Sequence, residues 1–206
     1  MTRSDSSAQS WFRSANCDGR YGLTLAAAVT LILALTATGD AGRSALRYDR
    51  FGLAHYQWWR LLSAHVVHLG ARHALLDCAG LVLIWVLFAR EFPARRWFAI
   101  LLASALAIDA GLWFLSPAVD WYLGASGVLH GALAAGAVAW YRRGDGMGAG
   151  LVVLLVAKLI YEQLHGTSVL GPGLPLVPEA HLYGALGGLA AVFRPPRHPR
   201  GVPKPL

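Results

Sequence analysis

One short stretch of the chain, Trp121 to Gly136 (WYLGASGVLHGALAAG), combines a serine with features of a tight turn and of a membrane helix. Ser126 stands between Gly124 and Gly127, and an apolar run rich in Gly and Ala follows directly. The N-terminus of a helix exposes backbone N–H groups and the positive end of the helix dipole, which stabilise developing negative charge. Ser126 is therefore a candidate nucleophile with an anion site beside it. The alternative is simple contact between closely packed helices, where Gly and Ser are common.

A serine nucleophile needs a base, and His181 opens a second apolar run, EAHLYGALGGLAAVF. Gly184 and Gly188 in this run are four residues apart, which favours close approach to the helix that follows Ser126. Because Ser126 and His181 both lie at predicted outer helix ends, such packing would bring the hydroxyl and the imidazole together. The alternative for His181 is an interfacial histidine bonded to a carbonyl group or water. His130, one turn beyond Ser126, is a reserve candidate for the base.

A pair of ionisable residues, His73 and Asp77, is spaced i, i+4 at the start of another apolar run and so shares one helix face. Ionisable groups are costly in lipid, which makes this pair a candidate functional site. His73 can donate to an oxyanion directly, whereas Asp77 must be protonated to do so. The alternative is a local pair that caps and solvates the helix start. His65, His68, His73 and Asp77 could also form a metal cluster, but their spacing is not diagnostic, and we predict no metal. We also predict no cofactor.

The composition points to an integral membrane protein. The chain has 206 residues, of which 56% are hydrophobic and only 14% charged, against about 25% charged in ordinary soluble domains. The net charge is +7, and the positive residues fall mostly between apolar runs. Membrane topology explains that pattern, so we predict no nucleic-acid partner. Cys17 and Cys78 are too few for a multi-cysteine metal site.

We predict six membrane-spanning helices, at about residues 21–38, 73–89, 97–115, 126–141, 150–165 and 180–193. Several runs are shorter than the roughly 20 residues of a usual span, which favours packing round a wet site. The Lys and Arg distribution predicts that both termini are cytoplasmic. The segment between the first two spans is rich in aromatic residues and predicts a structured loop lying partly in the membrane interface. Within that loop, Arg60 is expected to bond backbone carbonyls.

The predicted organisation has three parts. Residues 1–20 form a polar cytoplasmic tail, and residues 21–193 form the membrane domain, whose first span we expect to be retained rather than cleaved as a signal peptide. Residues 194–206 form a basic, Pro-rich cytoplasmic tail. Such a tail favours disorder or contact with anionic lipid.

Three motifs, taken in order, resemble those of the rhomboid family of intramembrane serine proteases over nearly the whole chain. WRLLSAHVVHLGARHALLD resembles the WR loop motif and the HxxxN that opens the second span of that family. GASG matches GxSG, and AHLYGALGG matches AHxxGxxxG. The resemblance implies an all-α membrane protein with a six-transmembrane-helix rhomboid-like bundle and a structured interfacial loop between helices 1 and 2.

The same resemblance implies roles for individual residues. Ser126 would be the nucleophile and His181 the general base, in a dyad without a carboxylate. His73, the Ser126 backbone N–H and the position of the family's Asn would form the oxyanion hole. This sequence has Asp77 at that position.

The stretch from KLIYEQLHG to PEAHLYGALGG, together with the compact size, resembles the rhombosortase branch of the family. That branch implies processing of exported bacterial proteins that carry a C-terminal Gly-Gly sorting signal, an apolar helix and a basic tail. The implied partners are transmembrane protein substrates with a C-terminal apolar helix, and membrane lipid. The implied location is the bacterial inner (cytoplasmic) membrane, in a multi-pass arrangement.

Two functions of other classes stay open at this point. A non-catalytic rhomboid-like protein that binds membrane clients is favoured by Asp77, which departs from the family motif. A small transporter could use Asp109, Lys158 and Glu162, which are ionisable residues in apolar runs. Lys158 and Glu162 are spaced i, i+4 and are expected to neutralise each other.

Overall fold

The computed structural model describes residues 16, 18–166 and 177–193, and these residues are mainly helical. In chain order the elements are α1 (Gly22–Ala37), α2 (Gly39–Leu46), β1 (Tyr48–Asp49), α3 (Arg50–Ala54), α4 (Arg60–Ser63), α5 (Ala71–Phe88), α6 (Ala94–Phe114), β2 (Trp121–Tyr122), α7 (Ser126–Arg142), α8 (Gly146–His165) and α9 (Pro178–Phe193). The predicted C-terminal tail and nearly all of the predicted N-terminal tail lie outside the described residues.

Each of the six predicted apolar segments falls in one of the long helices α1, α5, α6, α7, α8 and α9. Among the described residues, α5, α6 and α8 are long and apolar enough to cross a membrane, and α1 with α2 makes a fourth candidate if that pair, bent by 111°, is one span. Helices α7 and α9 have 17 and 16 residues, fewer than the roughly 20 that a usual span needs. The helical membrane character is confirmed, and the count of six spans stays a prediction.

Helix α8 has well-defined ends and one buried face. It begins after Asp145, whose carboxylate accepts a backbone N–H of the first turn at 2.9 Å, and it ends at Gly166 in the left-handed conformation. Leu155, Leu159 and Glu162 are buried at spacings of four and three residues, so they share one face. The two leucines pack with α7 and α9, and this packing directs Glu162 into the bundle.

Helix α7 is central, because α5, α6, α8 and α9 all pack against it. Its crossing with α9 depends on glycines that have no space for a side chain. A Cβ on Gly184 would collide with the carbonyl of Gly127, and a Cβ on Gly188 would collide with the carbonyl of Gly131. The two helix backbones therefore touch directly, as small residues allow in membrane helix pairs.

The segment between α1 and α5 is attached to the turn that precedes α7. Strands β1 and β2 pair antiparallel, with Tyr48 opposite Tyr122. The buried Arg60 donates to the carbonyls of Ser44 and Arg47 at 2.8 and 2.9 Å. The expectation that Arg60 bonds backbone carbonyls is thus confirmed, while the placement of this segment in the membrane interface stays a prediction.

Candidate active site

The turn before α7 fixes the position of Ser126, the first residue of that helix. Gly124 has φ +116°, a conformation that residues with side chains rarely adopt. Its N–H donates to the carbonyl of Ala64 at 2.9 Å, and its carbonyl accepts the Tyr122 hydroxyl at 2.9 Å. Burial raises the pKa of the Tyr122 phenol, so this group remains a neutral donor. The turn thereby presents Ser126 at a helix N-terminus, where backbone N–H groups lack helical acceptors.

The Ser126 hydroxyl lies against His181 near the start of α9. The distance from Ser126 Oγ to His181 Nε2 is 2.8 Å, and His181 is buried. The close helix crossing explains the contact, since a Cβ on Gly127 would lie only 2.9 Å from the carbonyl of Ala180. The structure therefore brings together the two residues that the sequence placed at separate helix ends. Their separation suits transfer of the hydroxyl proton to the imidazole.

A carboxylate that the motifs do not predict completes this cluster. Glu162 Oε2 of α8 lies 2.8 Å from His181 Nδ1, and the Glu162 side chain is fully buried. Its other oxygen, Oε1, accepts from Lys158 Nζ at 2.5 Å. The available signal in the sequence was a carboxylate within an apolar run. The local pairing with Lys158 is present as expected, but it leaves one carboxylate oxygen for His181.

His130, the reserve candidate for the base, lies beside the cluster with both ring nitrogens engaged. Its Nδ1 is 2.7 Å from the Ser126 carbonyl oxygen, and its Nε2 is 2.8 Å from Lys158 Nζ. The ring stacks on His181, with centroids 4.1 Å apart. His130 thus faces the backbone of Ser126, whereas His181 faces the hydroxyl.

Asp77, which lies on α5, contacts the same turn from the other side. Its Oδ2 accepts the Ala125 N–H at 2.9 Å and lies 2.9 Å from His68 Nε2. Asp77 and His68 are both buried. One Asp77 oxygen therefore acts as an acceptor that holds the backbone just before Ser126. Donation from Asp77 to an oxyanion stays a prediction.

His73 covers the glycine of the turn. A Cβ on Gly124 would lie 2.8 Å from His73 Cε1 and 2.9 Å from Nε2. Nε2 also lies 3.7 Å from Asp77 Oδ2, and the His73 ring meets that of His68 edge-on at 5.0 Å. His73 is thus adjacent to the backbone where an oxyanion donor would be needed.

One possible metal site occurs within the part of the chain that the structure describes. Ligand atoms of His130, Glu162 and His181 lie within 4.8 Å of one another. The ammonium group of Lys158 already contacts two of these residues, so a metal ion would compete with a fixed cation. Within the described residues, His65, His68, His73 and Asp77 do not form a second group of this kind.

Asp109 on α6, one of the three residues of the transporter alternative, pairs with His65. Its Oδ1 lies 3.4 Å from His65 Nε2, and both side chains are buried. Lys158 and Glu162 instead contact the histidines beside Ser126. Asp109 therefore belongs to one pair of residues, with His65, while Lys158 and Glu162 belong to the cluster beside Ser126.

The site holds a hydroxyl, an imidazole in contact with it and a carboxylate behind the imidazole. This order of groups suits nucleophilic acyl transfer, in which a base removes the hydroxyl proton during attack. The helix N-terminus can stabilise the oxyanion that forms.

The chain matches a protein family and is similar to a known protein. The model of the Rhomboid domain family matches residues 55–195, a range that includes Ser126, His181 and Glu162. The chain is also 23% identical over 142 residues to a Bacillus subtilis (strain 168) protein named "Putative rhomboid protease YdcA". That alignment covers 69% of this chain and 69% of the relative.

Proposed function

The chain belongs to the rhomboid family, and on that premise we propose that it is an intramembrane serine endopeptidase with Ser126 as nucleophile and His181 as general base. Family membership itself suggests intramembrane protease activity. The single observation that carries the assignment of residues is the 2.8 Å contact between Ser126 Oγ and His181 Nε2. The contact lies between helices of a largely apolar bundle. Ionisable groups in such a place are costly, so their presence indicates a functional site.

The first half of the reaction forms an acyl-enzyme. Ser126 Oγ attacks the carbonyl carbon of the scissile peptide bond while its proton passes to His181 Nε2. The C–N bond then breaks, and the same proton passes from His181 to the departing amine nitrogen. The acyl group is left as an ester on Ser126, and the fragment with the new amino terminus leaves.

The negative charge of the tetrahedral intermediate develops beside the N-terminus of α7. We assign its stabilisation to the Ser126 backbone N–H and to His73, with Asp77 as a further donor if it is protonated. Contact of His73 with the Gly124 turn supports this assignment. Removal of one donor from such a site typically costs about a hundred- to a thousandfold in rate.

The second half of the reaction releases the other fragment. A water molecule attacks the ester carbon and gives one proton to His181 Nε2. The ester bond to Oγ then breaks, His181 returns the proton to Ser126, and the fragment leaves with a new carboxyl terminus. The enzyme is restored with no net change in protons or electrons.

We propose that the substrates are exported bacterial proteins with C-terminal Gly-Gly sorting signals. Support comes from the resemblance of KLIYEQLHG and PEAHLYGALGG to the rhombosortase branch. Glycines near a scissile bond ease the unwinding of a substrate helix, because they weaken helical structure. The partners are then transmembrane substrates with a C-terminal apolar helix, together with lipid.

We place the protein in the bacterial inner membrane with six spans and both termini in the cytoplasm. The distribution of Lys and Arg supports this orientation. Helices α7 and α9, with 17 and 16 residues, are close to the roughly 17 residues at the lower end of the range for membrane-spanning helices, and other helices pack against both. Residues 1–20 and 194–206 are the cytoplasmic tails in this topology, and residues 21–193 form the membrane domain.

Cleavage of a membrane reporter tests the proposed function. The reporter carries a Gly-Gly segment, an apolar helix and a basic tail, and it is incubated in liposomes with the full-length protein. We expect cleavage by the wild type and none by Ser126→Ala or His181→Ala. The variant Glu91→Gln, altered beside Trp140 and Arg143 at the opposite end of α7, serves as a control. Equal cleavage by wild type and Ser126→Ala would overturn the proposal.

A further inference from the structure

We infer that Glu162 is a positioning residue that holds His181 in the tautomer needed to accept the Ser126 proton. The inference rests on the proposed function, and it replaces the dyad implied by the motifs with a chain of three residues. Glu162 touches neither the hydroxyl nor the substrate carbonyl in this scheme. It acts through the imidazole.

The hydrogen-bond partners assign the protons along the chain. An ionised carboxylate can only accept, so the 2.8 Å contact with Glu162 Oε2 requires a proton on His181 Nδ1. In the neutral ring Nε2 is then an acceptor, and the Ser126 hydroxyl at 2.8 Å must donate to it. This is the protonation state from which His181 can act as a general base.

The contacts of Lys158 assign the protons on the neighbouring groups, Glu162 and His130. An ammonium group can only donate, so it gives hydrogen bonds to Glu162 Oε1 at 2.5 Å and to His130 Nε2 at 2.8 Å. His130 Nδ1 then carries the ring proton and donates it to the Ser126 carbonyl at 2.7 Å. The Ser126 hydroxyl and both ring N–H groups each meet an acceptor, and Lys158 gives two hydrogen bonds within the network, which favours a stable buried polar network.

Charge balance explains why the carboxylate can be ionised in this place. The Glu162 side chain is fully buried, and an unpaired buried charge is strongly unfavourable. Lys158 supplies a cation one helical turn away, and its side chain keeps 23% of its surface exposed. Lys158 therefore neutralises Glu162 without occupying the oxygen that faces His181.

The rigid placement of α8 preserves this geometry. Leu155 and Leu159 pack against Ala134 of α7 and Ala185 of α9, on the face of α8 that also carries Glu162. When His181 accepts the serine proton, positive charge appears on a ring that already contacts a fixed carboxylate. Glu162 stabilises that charge and keeps the ring orientation, while the Nδ1 proton stays on His181.

Substitution of Glu162 by Gln tests the inference, because it replaces one of the two hydrogen-bond-accepting oxygens with an NH₂ donor. The single amide oxygen can face Lys158 or His181, and Lys158 can only donate. With the oxygen on Lys158, the amide N–H faces His181 Nδ1 and favours a proton on Nε2, which removes the base. We expect kcat for the liposome reporter to fall about a hundred- to ten-thousandfold, with KM changed less than about twofold, since substrate binding is untouched.

Two variants separate positioning from folding. Glu162→Asp keeps the charge, and we expect at least about tenfold more activity than in Glu162→Gln. Glu91→Gln is the matched control, because Glu91 also accepts from a cation, Arg143, and from a ring N–H, that of Trp140. We expect it to retain wild-type kcat. Thermal unfolding of each purified variant gives the folded fraction, and kcat is calculated per folded molecule.

The outcomes distinguish this inference from the proposed function. If Ser126→Ala abolishes cleavage but folded Glu162→Gln retains kcat within about threefold of wild type, the inference is wrong and the protease assignment stands. If Ser126→Ala cleaves normally, the proposed function itself fails. Loss of wild-type activity in EDTA, with recovery on adding Zn²⁺, would show that activity requires a metal, for which His130, Glu162 and His181 are the candidate ligands, and would also overturn the inference.

A measurement on the wild-type protein decides the case if the Glu162 variants do not fold. An imidazole proton held against a carboxylate gives a strongly low-field proton NMR resonance. We expect such a resonance from the purified protein in detergent, assigned to Nδ1 by ¹⁵N-histidine labelling and missing in His181→Ala. Its absence from the folded wild type at low temperature would overturn the inference.

Discussion

Gly184 of α9 lies directly on the backbone carbonyl of Gly127 in α7, with no space for even one Cβ between the helices. This contact determines how close α9 comes to the first turn of α7. Ser126 precedes Gly127, and His181 lies three residues before Gly184, so the same crossing sets the 2.8 Å separation of hydroxyl and imidazole. The packing of α7 against α9 therefore determines the distance between the two reacting side chains.

Replacement of Gly184 by Ala should separate the helices and lower both stability and activity. The added Cβ meets the Gly127 carbonyl, which is backbone and cannot move aside alone. Overpacking of this kind costs about 1–3 kcal/mol, and we expect reporter cleavage to fall at least about tenfold as the hydroxyl–imidazole contact lengthens. Thermal unfolding and reporter cleavage measure the two effects.

The matched control for that change is Gly150→Ala in α8, where a Cβ meets nothing within 4 Å. Ala at this open helical position should leave activity unchanged and raise stability slightly, because Ala favours helix more than Gly. Equal activity in Gly184→Ala and Gly150→Ala would contradict the role of the crossing.

Asp77 should be replaceable by Asn but not by Ala. Its Oδ2 accepts from the Ala125 N–H and contacts His68 Nε2, and the carbonyl oxygen of an Asn side chain can accept two hydrogen bonds as well. The freed amide would add a donor near the oxyanion. We expect Asp77→Asn to keep kcat within about tenfold of wild type or exceed it, and Asp77→Ala to lose about a hundredfold. A fall as large in Asp77→Asn as in Asp77→Ala would show that the negative charge itself is required.

His130 should prove dispensable as a base. Its ring nitrogens face the Ser126 carbonyl and Lys158 Nζ rather than the hydroxyl. We expect His130→Ala to lower the rate of reporter cleavage by about tenfold through loss of support for the network, against complete loss in His181→Ala. The reverse order of effects would make His130 the base.

Arg60 should matter for stability through its bonds to backbone carbonyls. It is buried and donates to Ser44, Arg47 and the Gln57 side chain at 2.6–2.9 Å. Arg60→Met leaves those acceptors unpaired, and we expect the free energy of unfolding to fall by about 2–4 kcal/mol. Arg90→Met, at a side chain that is 45% exposed, is the control and should change it by less than about 0.5 kcal/mol. Similar losses in both variants would contradict the role of Arg60.

The sequence predicts the helices and the main pair of residues because those signals are local. Apolar runs indicate helices whether or not their packing is known, and glycines next to Ser126 and after His181 indicate a turn and a close crossing. The ends of the six segments differ from the helices by a few residues, since a hydrophobic pattern does not locate caps.

Contacts between distant segments were harder to predict. Glu162 has a sufficient local partner in Lys158, so nothing in α8 alone indicates that its second oxygen faces His181. The pairing of Asp77 with His68 likewise depends on how the loop before α5 folds back. Both contacts follow from packing, which a single sequence does not encode in any local spacing.

Activation of Ser126 by His181 is tested by mass spectrometry of the protein after reaction with a fluorophosphonate in membranes, because this reagent forms a stable adduct with an activated serine hydroxyl. We expect one adduct, on the peptide that contains Ser126, and no adduct on that peptide in His181→Ala. An adduct of equal yield in His181→Ala, or a wild-type protein that is labelled only at another residue, would contradict this activation.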